Sequence, residues 1–467
     1  MQVASSTPQA APPTSQAPVP ESAAESVAAE RCDVVVIGGG PAGSTAAALL
    51  AERGRRVVLL EKEVHPRFHI GESLLPQNLA VFERLGVLDE IAAIGVYKPG
   101  GEFVSDERGK SVAFEFARGL DPAYTYSFQV KRAEFDEILF RNAARRGAET
   151  HEGARVVEVA LGGDAAGSRV TAVDAEGRRR TWHARFVVDA SGRDTYLAGR
   201  LGTKAPNKHN NTAAIFAHFE GVEPLKERCE GNIVIHLFDE GWFWAIPLRE
   251  GVTSIGVVGP SAFFKSRGGE SLEAFFAKAI ARSPSLSRRI AGARRISPVT
   301  ATGNYSYQAR SMAGDGYILV GDAFAFIDPV FSSGVHLAMA SAAKGADAVH
   351  AHLDDPRRAR ALFREFDRSV RASLKAFSWL IYRINTPVLR DMFIEPRNRF
   401  RMRDGLVGLL AGNTGGGLGR LLPVLAFKGA FLFLSLAYKM GYRLGPNGLV
   451  PATAALPSSA ALPSSAA

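Results

Sequence analysis

The chain has 467 residues, 46% of them hydrophobic and 22% charged, which is typical of a globular protein with about two or three domains. The net charge of +9 is small for this length, and the arginines are scattered instead of forming a stripe with aromatic residues, which argues against nucleic-acid binding. With two cysteines and no metal-ligand spacing around them, the sequence predicts a metal-free protein of the reducing cytoplasm.

Both ends of the chain are low in complexity. Residues 1–30 are rich in Ala, Pro, Ser and Gln and lack the basic and apolar regions of a signal peptide, so we expect a disordered tail. Residues 451–467 repeat LPSSAA, and we expect a second disordered tail there. The folded part should therefore lie between them.

Residues 32–61 have the pattern of a βαβ unit in a parallel sheet. A β-branched run at 33–37 and another apolar run at 56–60 each predict a strand buried on both faces. Between them, the Ala- and Leu-rich run at 44–53 predicts a helix. The expected fold class is α/β, or α+β for the chain as a whole, with a Rossmann-like domain.

Three glycines lie between the first strand and this helix. Gly38, Gly40 and Gly43 have the spacing that permits a tight turn, lets the backbone approach a pyrophosphate, and lets the helix pack on the strand. Glu61 follows the second strand, where a carboxylate accepts hydrogen bonds from a ribose diol. The pattern predicts a dinucleotide site and leaves FAD and NAD both open.

The region after Glu61 contains two histidines four residues apart. On a helix His65 and His69 would present two metal ligands, but Pro66 breaks a helix and no third ligand is near, so we expect no metal site. Residues 77–85 predict an amphipathic helix.

Two stretches with aromatic and alternating residues predict an antiparallel sheet on the substrate side. Between them, a helix is predicted near 132–146, and 155–188 reads as a β-meander that ends in DASGR. A long helical region is predicted from 357 to 443. We assign the nucleotide-binding domain to 31–100, 129–203 and 296–350, the substrate-side sheet to 101–128 and 204–295, and the helical C-terminal region to 351–450.

Four motifs together resemble the FAD-binding core of p-hydroxybenzoate hydroxylase-type aromatic hydroxylases and of flavin-dependent halogenases. They are the glycine fingerprint, the helix that begins at Arg132, DASGR, and VGDAFAFIDP at 320–329. The resemblance implies FAD as the cofactor, with Asp322 facing its ribitol and pyrophosphate. The cofactor-binding residues that it implies are Gly38, Gly40, Pro41, Ala42, Gly43, Glu61, Lys62, Arg132, Gly321, Asp322 and Pro329.

Three further features are similar to halogenases and not to hydroxylases. Lys98 matches the essential catalytic lysine of halogenases, and Ser333 with Gly334 matches their backbone halide site. The third is a WxWxIP element, whose indoles in that family are thought to keep substrate away from the flavin; it is formed by Trp242, Trp244, Ile246 and Pro247.

The resemblance also implies the reaction and its partners. Halogenases use O2, chloride and reduced FAD, which we expect a separate flavin reductase to supply. Hypochlorous acid travels through a tunnel to the lysine, whose amine needs burial and a lowered pKa to act as a nucleophile.

One difference from tryptophan halogenases restricts the expected substrate class: they carry a glutamate where this chain has Phe331. The C-terminal stretch instead resembles phenol and pyrrole halogenases, several of which act on substrates tethered to carrier proteins. We therefore expect chlorination of an electron-rich ring in natural-product or antibiotic biosynthesis, with an acyl or peptidyl carrier protein as a partner. The alternatives are an aromatic hydroxylase or related flavin reductase, and a flavoprotein that serves as a non-catalytic binding subunit.

Residues 421–444 are apolar enough to suggest a membrane-spanning helix. Pro423 and Lys428 interrupt them, and a span prefers about 20 apolar residues without such breaks. We expect a helix packed on the protein body or on a partner, and not association with a membrane.

Overall fold

The computed structural model describes residues 29–207, 211–303, 306–415 and 417–453. Most of both predicted tails, 1–28 and 454–467, lies outside the described residues. The strands are β1 (Glu30–Ile37), β2 (Val57–Leu60), β3 (Val96–Lys98), β4 (Gly100–Ser105), β5 (Lys110–Glu115), β6 (Ser127–Gln129), β7 (Glu149–His151), β8 (Arg155–Ala160), β9 (Ser168–Val173), β10 (Arg179–Asp189), β11 (Lys204–Pro206), β12 (Thr212–Glu220), β13 (Ile233–Phe238), β14 (Gly241–Pro247), β15 (Val252–Pro260), β16 (Arg294–Arg295), β17 (Thr300–Gly303), β18 (Tyr307–Ala309), β19 (Ala313–Gly314), β20 (Tyr317–Leu319), β21 (Ala325–Phe326), β22 (Tyr442–Gly445) and β23 (Gly448–Pro451).

The α-helices are distributed along the chain and dominate its last third. They are α1 (Pro41–Ala51), α2 (Leu79–Leu85), α3 (Leu88–Ile94), α4 (Arg132–Arg145), α5 (Gly163–Ala166), α6 (Tyr196–Arg200), α7 (Ser261–Lys265), α8 (Leu272–Ile280), α9 (Pro284–Arg289), α10 (Ser333–Asp354), α11 (Pro356–Ile381), α12 (Pro387–Ile394), α13 (Met402–Leu410) and α14 (Leu418–Lys439).

The first sheet is the core of a Rossmann-like domain, as the sequence predicts. Its strand order is β19-β20-β10-β1-β2-β7, and β1 runs parallel to both β2 and β10. All four residues of β2 are buried, because helices cover both faces of such a sheet. The predicted meander is confirmed as β8, β9 and β10, which pair antiparallel in sequence order. Helix α1 packs against α4 and α10.

The second sheet lies on the predicted substrate side, with the order β16-β12-β15-β14-β13-β4-β5. Most neighbours are antiparallel, but β4 and β13 run parallel. Strand β17 pairs with β12 of this sheet, although the sequence analysis assigned its residues to the nucleotide-binding domain. That assignment is wrong for β17, because a short polar strand carries too little hydrophobic pattern to indicate its sheet.

The C-terminal region is helical from α10 to α14, and then differs from the prediction. Residues 442–451 form the hairpin of β22 and β23, where a helix to 443 and a tail from 451 were predicted. Gly441 has φ +84°, which ends α14 at a conformation that favours glycine. Within the described residues, α14 is the one helix that has the length and apolar composition of a membrane span, and 28% of its most apolar window is buried.

Candidate active site

A cavity of about 600 Å³ brings together residues from both sheets and from the start of α10. The predicted site residues that line it are Gly38, Gly40, Pro41, Ala42, Glu61, Lys62, Arg132, Trp242, Trp244, Ile246, Asp322, Pro329 and Gly334. Those that do not line it are Gly43, Lys98, Pro247, Gly321, Phe331 and Ser333. Residues almost 300 positions apart in sequence therefore surround one space, which is the arrangement expected for a long cofactor and its substrate.

The three fingerprint glycines are required for three different reasons. Gly38 has φ +100°, and a Cβ there would lie 2.5 Å from the carbonyl oxygen of Ala190. A Cβ on Gly43 would lie 1.8 Å from the carbonyl oxygen of Gly38, so helix and turn touch at this point. At Gly40 the nearest atom is the Arg67 side chain at 3.6 Å, which leaves the backbone open to the cavity. The turn, the close packing and the exposed backbone agree with the predicted roles and fit a bound pyrophosphate.

Glu61 is held at the edge of the cavity by two backbone N–H groups. Its Oε2 accepts from Gly39 N at 2.6 Å and its Oε1 accepts from Glu63 N at 3.0 Å. The residue is 4% exposed, yet each carboxylate oxygen retains a lone pair. This carboxylate can therefore still accept from a ribose diol.

Arg132 lies on the cavity wall within a buried ion-pair cluster. Its Nε and Nη2 donate to the two oxygens of Asp136 at 2.8 and 2.9 Å, and Nη1 donates to Ile70 O at 2.7 Å. Arg67 also donates to Asp136, at 2.8 Å. Because a guanidinium has five N–H groups, Arg132 keeps donors for a phosphate. Asp136 lies four residues after Arg132 on the predicted helix, whereas Arg67 comes from a loop far earlier in the chain and was not predicted as a neighbour.

Asp322 faces the cavity from the turn after β20. Burial raises the pKa of its carboxyl from 3.8 to about 7, with Arg132 and Arg193 acting in the opposite direction. The preceding residue, Gly321, has φ +58° and donates its N–H to Ser341 Oγ at 2.9 Å. Near neutral pH this carboxyl can thus both donate and accept hydrogen bonds, as contact with a polyol such as ribitol requires.

The N-terminus of α10 borders the cavity through Ser332, Gly334 and Val335. Ser332 adopts a left-handed conformation (φ 55°, ψ 24°) immediately before the helix. The side chain of Ser333 is buried and lies outside the lining, so a halide site here would use backbone N–H groups. The free N–H groups and positive dipole end of this helix suit an anion.

Lys98 is the last residue of β3 and is only 1% exposed. Its Nζ donates to Ser73 Oγ and to Leu74 O, both at 2.8 Å, and lies 5.4 Å from the centre of the Phe116 ring. Burial lowers the pKa of this amine from 10.5 to about 7. Lys98 does not itself line the cavity, but its partner Ser73 does.

The indoles of Trp242 and Trp244 project from one face of β14, because side chains alternate along a strand. Their ring centres are 6.0 Å apart, and Trp244 Nε1 donates to Ser254 Oγ at 3.1 Å. Gly256 lies opposite Trp244 on β15, and a Cβ there would be 2.3 Å from the indole. Glycine at 256 therefore makes room for this ring in the cavity wall.

Phe331, which was predicted to line the substrate pocket, does not line this cavity. It is 4% exposed and stacks on Phe393 of α12, with ring centres 6.1 Å apart. The C-terminal helices cover it, and the position of α12 could not be predicted from the sequence. A role for Phe331 in the substrate pocket stays a prediction.

The loop from Arg67 to Ser73 supplies cavity residues that the sequence analysis passed over. Glu72 is 2% exposed, and its Oε1 lies 2.6 Å from His218 Nε2. An acid is rarely buried without a partner, but the burial of Glu72 cannot be read from the sequence, so its pairing with His218 could not be predicted. His65 pairs with Glu152 at 2.8 Å, and the described residues contain no group of three or more metal-ligating side chains.

This fold and cavity define an FAD-binding protein. The family model described as FAD binding domain matches residues 31–364. The relatives narrow the class further, and the chain belongs to the flavin-dependent halogenases.

Two curated relatives differ in the substrate that their names give. A tryptophan 2-halogenase from Chondromyces crocatus is 37% identical over 323 residues, which cover 68% of this chain and 60% of that protein. A 1H-pyrrole-2-carbonyl peptidyl-carrier-protein chlorinase from Pseudomonas fluorescens is 30% identical over 404 residues, which cover 80% of this chain and 89% of that protein. The chain thus spans less than two thirds of the first relative and most of the second.

Solved structures agree on the fold. A flavoprotein/dehydrogenase from Cytophaga hutchinsonii superposes with a TM-score of 0.79 at 28% identity, covering 88% of this chain and all of that one. The myxobacterial chondrochloren halogenase superposes with a TM-score of 0.72 at 33% identity, covering 87% of this chain and 90% of that one.

Proposed function

We propose that this protein uses reduced FAD, O2 and chloride to chlorinate an electron-rich aromatic ring, a phenol or a pyrrole, in natural-product biosynthesis. The observation that carries the proposal is Lys98, a fully buried amine with a pKa of about 7. A buried lysine without a carboxylate partner is costly, and its retention beside a cofactor cavity favours a chemical role.

The residues of the chain can be given distinct tasks. FAD, when bound in its reduced form, would supply two electrons to O2, and chloride would supply two more, which gives hypochlorous acid and water. Gly40 and Glu61 hold the adenosine half, and the N-terminus of α10 attracts chloride. The two indoles of β14 narrow the passage towards Lys98 and exclude water, which would otherwise dilute hypochlorous acid.

The amine of Lys98 acts on the oxidised halogen. About half of a group with a pKa near 7 is uncharged at neutral pH. Its lone pair can take chlorine from hypochlorous acid with release of water, or the amine can polarise the acid through a hydrogen bond. The hydrogen bonds to Ser73 and Leu74 fix the direction of this amine.

The substrate class rests on Phe331 and on the relatives. An apolar ring at 331 supplies no carboxylate to assist attack on an indole, so the ring must bring its own nucleophilicity, as phenols and pyrroles do. A relative of which this chain covers 89% acts on a pyrrole bound to a peptidyl carrier protein, by its name. We therefore propose a carrier-bound substrate, and a separate cytoplasmic reductase as the source of reduced flavin.

The test incubates the protein with reduced FAD, O2, chloride and candidate rings, each as the free acid and as the carrier-bound form. Mass spectrometry should find the isotope doublet of chlorine on a phenol or pyrrole, and little product from free tryptophan. A product that gains oxygen instead would identify a hydroxylase, and purified protein that binds no FAD would identify a non-catalytic subunit. Equal rates for free and tethered forms would remove the carrier from the proposal.

Lys98→Ala tests whether Lys98 is needed for transfer of chlorine to the substrate and not for oxidation of the flavin. The variant should lose chlorination while it still binds FAD and releases peroxide from reduced flavin and O2. Lys278→Ala is the matched control, because the side chain of Lys278 is 72% exposed and lies outside the cavity lining. Chlorination by Lys98→Ala at the rate of this control would refute the assigned role.

A further inference from the structure

One face of α14 presents only apolar residues or glycine to solvent along the whole helix. The positions recur every third or fourth residue, as one side of a helix requires, and they are Leu418, Leu422, Leu425, Gly429, Leu432, Leu436 and Met440. The six larger side chains are 50 to 74% exposed. We name these seven residues the apolar stripe. In a soluble protein the outward face of a helix is ordinarily polar, so this stripe needs an explanation.

The opposite face of α14 is already used by the fold. Residues on that side are buried against α12, α13 and β22, and they are Pro423, Phe427, Phe431, Leu434 and Ala437. The helix is therefore fixed on the protein body, as the sequence analysis expected, and one side remains for a partner. A helix held in this way can lie on the surface of a bilayer, but it cannot span a bilayer without losing its contacts with α12, α13 and β22.

A second exposed group extends the stripe. Phe400 is 81% exposed and has φ 53°, and Arg401 beside it has φ 58°. Left-handed backbone is uncommon for a bulky residue and carries a cost, yet here it directs a phenyl ring into solvent. Phe400 lines a cavity of about 590 Å³ together with Phe433 of α14 and Leu449 of β23. The ring thus belongs to the same surface as the helix.

Basic residues outnumber acidic ones around this surface, although Glu395 also lines its cavity. Residues 396–453 contain a single acid, Asp404, and eight basic residues: Arg397, Arg399, Arg401, Arg403, Arg420, Lys428, Lys439 and Arg443. Three of these basic residues have acidic partners: Arg401 pairs with Asp404 at 3.0 Å, Arg420 with Asp121 at 3.4 Å, and Arg443 with Glu107 at 3.4 Å. Arg399 and Lys439 are exposed. The partner should therefore combine an extended apolar region with negative charge.

We infer that the stripe and Phe400 bind the surface of a bilayer containing anionic lipids. The helix is roughly 33 Å long at 1.5 Å per residue, and an interfacial helix with apolar residues below and cations beside it matches this pattern. A second copy of the chain would bring two cationic sets together. An acidic protein would satisfy the charge, but it would have to supply an apolar groove along the entire helix.

The test is sedimentation of the full-length protein with vesicles. With vesicles of phosphatidylcholine containing phosphatidylglycerol the protein should enter the pellet, and binding to phosphatidylcholine alone should be roughly tenfold weaker or more. Added salt should weaken binding to the anionic vesicles. Absence of binding to either composition would overturn the inference. Binding of an acidic protein, or self-association on gel filtration, in the absence of vesicle binding would overturn it as well.

Two variant pairs locate the contact. Leu432→Gln with Leu436→Gln should reduce binding to anionic vesicles by roughly tenfold or more. The matched control, Val64→Gln with Leu201→Gln, changes two apolar residues that are 64 and 41% exposed elsewhere and should bind like the wild type. FAD binding confirms that both variants are folded. Equal binding of the stripe variant and its control would refute the assignment.

The cationic contribution is tested in the same assay. Arg399→Gln with Lys439→Gln should remove most of the preference for anionic vesicles. Arg179→Gln with Arg288→Gln makes the same change in net charge at exposed positions outside the surface, and the preference should remain. If the two pairs lower binding equally, net charge and not this surface drives the association.

Discussion

Replacing Lys98 with methionine tests whether burial holds the pKa of this amine near neutrality. Burial lowers the pKa from 10.5 to about 7, so between these values the unfolded chain binds a proton that the folded chain does not. As the pH falls through this window, protonation favours the unfolded state, and the free energy of unfolding decreases. When the pH falls from about 9 to about 6, titration of Lys98 alone should lower the free energy of unfolding by about 2 to 3 kcal/mol.

Lys98→Met should lack this dependence, because methionine has a similar length and does not titrate. Loss of the hydrogen bonds to Ser73 and Leu74 weakens the variant at both pH values, and all other groups are shared. On going from about pH 9 to about pH 6, the variant should therefore gain about 2 to 3 kcal/mol relative to the wild type. Urea unfolding of both proteins at each pH measures this difference. A difference that stays constant would show that Lys98 titrates as an ordinary lysine and would refute the argument from burial.

Three further predictions concern the cofactor and the passage. Glu61→Ala should weaken FAD binding by about 1 to 3 kcal/mol, measured by quenching of flavin fluorescence, with unchanged products at saturating flavin; an unchanged dissociation constant would place the ribose elsewhere. Gly43→Ala should abolish FAD binding because its Cβ would lie 1.8 Å from a backbone carbonyl oxygen, and normal FAD binding would contradict the packing argument. Gly199→Ala is the control, because open space surrounds this glycine in its helix. It should unfold at a temperature similar to or slightly above that of the wild type. Gly256→Ala should displace the Trp244 indole and lower the ratio of chlorinated product to released peroxide, with FAD binding retained; an unchanged ratio would remove Trp244 from the passage.

The nucleotide-binding unit could be predicted from the sequence because each of its signals is local. The strand, the glycines, the helix and Glu61 lie within about 30 consecutive residues, and the structure confirms the two strands and the helix between them. The contrasting environments of Gly40 and Gly43 follow from the same short pattern. Such features depend on neighbours a few positions away, so a single sequence contains them.

The surroundings of Lys98 could not be predicted in this way. The lysine was identified by resemblance, but its partners Ser73 and Leu74 lie more than 20 positions earlier, in a loop that the sequence left undefined. The stacking of Phe331 on Phe393 could not be predicted for a similar reason, since the helix that carries Phe393 lies about 60 residues further on. The hairpin at 442–451 is a different kind of error, because Gly445, Pro446 and Gly448 are turn signals that the apolar pattern of α14 obscured.

The pKa values of Lys98 and Asp322 connect the packing of the site to its chemistry. Burial is the leading cause of both shifts, and each shift brings an ordinarily charged group to a pKa of about 7. Water admitted to this region would restore both ordinary values, so the amine would be protonated and the carboxyl ionised at neutral pH. Exclusion of water around Lys98 therefore serves the proposed reaction in two ways, because it protects hypochlorous acid and keeps the amine able to react with it.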